Sequence, residues 1–117
     1  MNKIPQWLKL ELQRVLIGEI YPSIRAIAVA CKESKKLTVR YYLDREPTEG
    51  DLESLSMVLT QLEASSTSGE QFDDVIAECR FSSLLLRDVD VMDGLVYARR
   101  EYCLEEIENQ QAASSNP

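Results

Sequence analysis

LTVRYYLDREPTEGDLESLSMVLTQL, residues 37–62, changes its hydrophobic period once, and that change decides the fold. Leu37, Val39, Tyr41 and Leu43 alternate with Thr38, Arg40 and Tyr42. A period of two sets one side of a strand against a core and the other towards solvent, so residues 36–43 read as a strand. Pro47 breaks the pattern. Beyond it Leu52, Leu55, Val58, Leu59 and Leu62 recur at helical spacing, which predicts an amphipathic helix over residues 48–64. Thr48 suits its N-cap, with Asp51 three residues on as a shorter form of the capping-box acid. Glu49, Asp51 and Glu53 fall in the first turn, where the helix dipole favours negative charge. Of the carboxylates in this junction, Asp44 and Glu46 are left without a structural task.

Upstream, Leu8, Leu12, Val15, Leu16 and Ile20 mark a first helix over residues 5–20, with Pro22 as its stop. Residues 23–32, SIRAIAVACK, are rich in small and β-branched side chains and predict a strand with Ile27, Val29 and Cys31 on one side. A hairpin through KESK joins it to the next strand. Downstream, SSTSGE ends the second helix and residues 72–81 return to alternation, with Val75, Ala77, Cys79 and Phe81 on one side. Residues 84–93 look irregular, and 94–100 read as a fourth strand. A short helix over 101–109 and a frayed tail, 110–117, complete the chain.

The expected architecture is therefore α+β, in α-β-β-α-β-β order, with residues 1–109 as one domain. A four-stranded antiparallel sheet with both helices on one face would bury the alternating apolar positions. The other face would be left to Arg40, Tyr42, Glu78, Arg80 and Arg99. Tyr and Arg are enriched at binding hot spots, while a face kept soluble by cross-strand ion pairs would use the same residues.

Composition narrows the function classes. At 117 residues with 44% hydrophobic and 28% charged residues, the chain suits one globular domain and not disorder. No apolar run approaches a membrane span, and Lys9, Glu11 and Arg14 interrupt any signal-peptide core, so a cytoplasmic protein is expected. Cys31, Cys79 and Cys103 are odd in number and widely spaced, which fits neither a disulfide framework nor a zinc site. Histidine is absent, which removes the usual general base, the partner of most Ser and Cys nucleophiles and the commonest transition-metal ligand. An enzyme and a cofactor are not expected. The loop RDVDVMDG, residues 87–94, superficially resembles a calcium loop. Counted from Asp88, Met92, Asp93 and Arg99 stand where Asp or Asn, Gly and the bidentate Glu belong, so no metal site is expected.

The net charge of −7 is uneven. Residues 1–43 carry eight Lys/Arg against three Asp/Glu, a net +5, whereas residues 44–117 carry five against seventeen, a net −12. Such a chain repels nucleic acid and suits a basic protein partner, because complementary charge steers encounter. Asp88, Asp90, Asp93, Asp44 and Glu46 are the acidic candidates for that contact, and Arg40, Tyr42 and Arg80 form the alternative surface.

The run LTVRYYLDREPTEGDLESLSMVLTQL, with FDDVIAEC and GLVYARREY after it, resembles the small cytoplasmic immunity proteins encoded beside bacterial contact-dependent growth inhibition and related polymorphic toxins. The resemblance spans residues 37–102 and rests on texture, not on a diagnostic motif. It implies a non-catalytic protein that binds a toxin domain, often a basic nuclease, and covers its active site with an acidic surface. It supplies no catalytic residues. The competing expectation is a small assembly protein that dimerises through its open sheet face.

Overall fold

A computed structural model describes residues 4–32, 35–65 and 72–101. Its elements are helix α1 (Gln6–Val15), strands β1 (Ile24–Lys32) and β2 (Lys36–Leu43), helix α2 (Glu49–Ser65), strand β3 (Asp74–Phe81) and strand β4 (Gly94–Ala98), with a 3-10 turn at Leu86–Asp88 before β4. The α+β class and the element order match the reading of the sequence. The terminal helix and tail expected over 101–117 lie outside the described residues, save Glu101.

The sheet runs β3-β2-β1-β4 and is mixed. β1 pairs antiparallel with β2, the next strand in the chain, and antiparallel with β4. The expectation of a wholly antiparallel sheet fails at β2 and β3, which run parallel in unbroken register from Lys36 opposite Asp74 to Leu43 opposite Phe81. The reason lies in α2. A parallel neighbour needs a crossover, and a 17-residue helix laid back along the sheet returns the chain to the starting end of β2. β4 then forms at the far edge, so residues 82–93 must cross the sheet.

One core holds both helices against one sheet face. Leu8, Leu12, Val15 and Leu16 of the first helical segment meet Leu55, Val58, Leu59 and Leu62 of α2 over Ile27, Val29, Leu37, Val39, Tyr41 and Leu43. Each such leucine contributes about 1.5–3 kcal/mol on full burial. Trp7 stacks on Phe72 at 6.0 Å between centroids and closes the rim. Phe81, expected on the buried side, is instead 45% exposed at the end of the edge strand.

α1 stops at Val15, five residues short of the expected end. Gly18 takes a left-handed φ of +81° and reverses the chain there, a conformation that costs other L-residues about 1–2 kcal/mol. Nothing lies within 4 Å of a Cβ built at that position, so only backbone strain opposes a side chain. Gly18→Ala should accordingly lower stability by about 1 kcal/mol in urea unfolding. No loss would show that the turn relaxes freely.

The junction at α2 forms as its sequence predicts. The Thr48 amide donates to Asp51 Oδ2 at 2.7 Å, and the Asp51 amide donates to Thr48 Oγ1 at 3.3 Å. Asp51 does more than cap. Arg45 clamps its carboxylate with two bonds of 2.7 and 3.0 Å, and the Tyr21 hydroxyl donates to Oδ1 at 2.5 Å. The Arg45 guanidinium, with Tyr21 and Thr48 adding to it against the opposing effect of burial, holds the Asp51 carboxyl well below the usual carboxylate range.

Candidate functional site

The sheet face away from the helices is only partly open. Alanines at 26 and 28 of β1 leave a shallow trough, and the crossing segment fills it, with Val89 buried against Ala26, Ala28 and Tyr42. Leu86, Met92 and Leu95 pack around that cluster. The segment is then pinned by polar contacts. Tyr42 Oη donates to the Asp90 carbonyl at 2.7 Å, the Asp93 amide donates to the Val29 carbonyl at 2.9 Å, and the Cys31 amide donates to Asp93 Oδ2 at 2.8 Å. Met92 adopts a positive φ of 55°, and its amide donates to Asp90 Oδ1 at 2.9 Å. This turn sets the direction in which Asp90 points.

Arg40 and Tyr42 are therefore not displayed residues. They are 8% and 5% exposed, and they form the underside of the surface. Arg40 donates from Nε to Glu78 Oε1 at 2.9 Å and from Nη1 to Tyr42 Oη at 2.9 Å, and its Nη1 stands 3.9 Å from Asp90 Oδ2. Burial opposes the Arg40 charge, but the bonds to Tyr42 and Glu78 outweigh it and its pKa ends raised. Above this base sit the groups a partner would meet: Asp90 with 73% of its side chain exposed, Arg80 with 56%, and Ile76 at 42%. Arg80 leans on Glu78 at 3.5 Å. Lys32, Thr38, Ile76, Glu78 and Asp90 edge an open depression of about 450 Å³. Asp88 lies exposed on the 3-10 turn beside it.

The other acidic candidates are elsewhere. Asp44 follows the far end of β2 and accepts a 2.8 Å bond from Arg99. Glu101 bridges Arg99 and the buried Arg25, which it meets through two bonds of 2.6 and 2.7 Å. The Arg25 guanidinium holds the Glu101 carboxyl below its ordinary value. Glu46 is exposed on the turn that leads to α2. Asp93 lies level with the opposite, Leu37 end of β2, since its partner Cys31 is paired with Leu37. Some six strand residues, about 20 Å, thus separate Asp93 from Asp44 along the sheet. Of the acidic candidates, Asp44 and Glu46 lie beyond the end of β2, whereas Asp88, Asp90 and Asp93 belong to the crossing segment.

The chemistry of these groups is that of holding and displaying charge. The carboxylates whose proton affinity is displaced, Asp51 and Glu101, are both pushed down and stay ionised, the reverse of what a general acid needs. Burial pushes the Cys79 thiol up to about 11, so it stays protonated and a poor nucleophile. Among the described residues, no three His, Cys, Asp or Glu side chains converge where a metal ion could be held.

Sequence reasoning missed the crossing segment and hence the burial of Arg40 and Tyr42. The signal was the run of alanines at 26, 28 and 30, all on the face that seemed free. A strand with no side chains beyond methyl on one face leaves room for a second layer.

Comparison with known proteins gives one family. The family profile described as MafI2 immunity protein matches residues 5–101, most of the chain and all of the described sheet. No curated protein sequence matches.

Proposed function

Because the chain belongs to the MafI2 immunity protein family, we propose that it is a non-catalytic cytoplasmic protein that binds and neutralises a cognate toxin domain, a basic nuclease, with the sheet face around Asp90. One observation carries the choice of surface. Asp90 is a well-exposed charge on a segment that Tyr42, Val29 and Cys31 bond to the sheet. A preorganised carboxylate loses little entropy on binding, and opposite charge on the toxin raises the encounter rate. Ile76 and Arg80 beside it add apolar area and directional donors. Asp44 is the weaker candidate, since Arg99 already neutralises it.

The test is co-expression with the product of the neighbouring gene, followed by titration calorimetry. Reversing Asp88 and Asp90 together to lysine should weaken toxin binding by about tenfold or more and restore toxin activity, while Glu46→Lys should leave affinity within about twofold. The binding function fails as a proposal if the neighbour's product is not bound. The choice of surface fails if Glu46→Lys has the larger effect.

A further inference from the structure

β3 is the outermost strand on its side, and among the described residues no strand pairs with its free edge. Exposed edges are usually guarded by lysine, proline, a bulge or an inward-pointing charge. β3 carries charge only on its outer face, at Asp74, Glu78 and Arg80, and has none of these guards. The strand DVIAECRF has no Lys or Pro, its register against β2 is unbroken, and its helix-side residues Val75, Ala77, Cys79 and Phe81 carry no charge. The Ser82 amide donates to the Leu43 carbonyl at 3.1 Å. Strand alternation then turns the amides of Val75, Ala77 and Cys79 outward, away from β2.

We propose that this edge pairs antiparallel with the same edge of a second copy, joining two sheets into one of eight strands. The argument is self-complementarity. A two-fold axis at Ala77 sets Ala77 against its own copy as a hydrogen-bonded pair, with Val75 against Cys79 on either side. On the opposite face, Asp74 then meets Arg80 of the second copy, and Arg80 meets its Asp74. Both side chains are exposed. An axis at Glu78 would instead set Glu78 against itself, and one at Ile76 would set Asp74 against Glu78. Like charges directly opposite are destabilising, so the Ala77 register is preferred over both. A depression of about 410 Å³ beside the edge, lined by Pro47, Leu52, Ala77 and Cys79 among others, has room for Val75 of the second copy. Because the axis stands normal to the sheet, both Asp90 surfaces face the same way, and the dimer would present two toxin sites side by side.

Light scattering after size exclusion and sedimentation equilibrium test this on the full chain. The wild type should run at twice the 13.3 kDa chain mass. Asp74→Arg or Arg80→Asp alone should raise the dimer dissociation constant by about tenfold or more, since the two-fold repeats each repulsion. The double variant D74R/R80D should restore the dimer, because the pair is rebuilt with its signs exchanged. Circular dichroism checks that each variant is folded. A monomeric wild type overturns the proposal, as does a dimer that either single variant leaves intact. A double variant that stays monomeric overturns the Ala77 register. If the chain alone is monomeric and Asp74→Arg weakens toxin binding, the edge belongs to the toxin and the dimer is refuted.

Discussion

Asp51→Ala should lower the free energy of unfolding by about 3 kcal/mol, measured by urea denaturation at neutral pH. Three separate losses make up that figure. The Thr48–Asp51 exchange at the start of α2 disappears, and losing a helix cap costs about 1 kcal/mol. Bonds from Arg45 and Tyr21 go as well, and the charge-assisted bond from the part-buried Tyr21 contributes about 1.5–3 kcal/mol. Part of that loss is recovered, because Arg45 is itself well exposed and will be solvated. Asp51→Asn separates the two effects: it retains an acceptor for Thr48 while losing the ion pair, so it should fall between alanine and wild type. A loss below about 1 kcal/mol for the alanine variant would mean that the network is ornamental and the leucines of α2 alone hold the helix.

The same residue fixes how stability depends on pH. Asp51 is held below its unfolded value, so its contribution is fully present above the ordinary carboxylate range, about pH 4, and is lost as pH falls through the folded value. Glu101 is depressed by Arg25 in the same sense. Wild-type stability should therefore fall on acidification below about pH 5, and the decline should be shallower in Asp51→Asn. Parallel curves for the two proteins would remove Asp51 from the acid response.

The alternation of residues 37–43 and the helical spacing after Pro47 were enough to place β2, α2 and the core side of each, apart from Leu52, which is 46% exposed. Local chemistry fixed these features, and so did the cap at Thr48. Strand neighbours were harder. Alternation tells which face a residue takes, but it is silent on whether β3 runs parallel or antiparallel to β2. That choice belongs to the crossover path of α2. The burial of Tyr42 depends on Val89, 47 residues away in sequence, and the neutralisation of Asp44 on Arg99, 55 away. No periodicity encodes such pairs. The acidic half of the chain was plain from counting, whereas the separation of Asp93 from Asp44 along the sheet follows only from strand register. The free edge of β3 was likewise invisible until the strand order was known.

Arg40→Ala should have the second large effect, about 3 kcal/mol of stability, and it should also weaken toxin binding without removing any displayed residue. Arg40 is the buried side chain that ties β2 to Glu78 on β3 and, beside its β2 neighbour Tyr42, to Asp90 of the crossing segment. Truncation opens space under the segment and strips Glu78 of its closer partner, leaving it Arg80 at 3.5 Å. Removing one member of a buried pair typically costs about 3–5 kcal/mol, and the partial exposure of Glu78 places this case at the lower end. Replacing both partners with leucine tests the mechanism, since a buried ion pair exchanged for packed apolar groups is often close to neutral. R40L/E78L should therefore be markedly more stable than Arg40→Ala. Its toxin affinity should remain low, because Asp90 has still lost the cation 3.9 Å away that helps to orient it. Recovery of stability together with full affinity would show that Arg40 serves packing alone and that the Tyr42 hydroxyl suffices to hold the Asp90 turn.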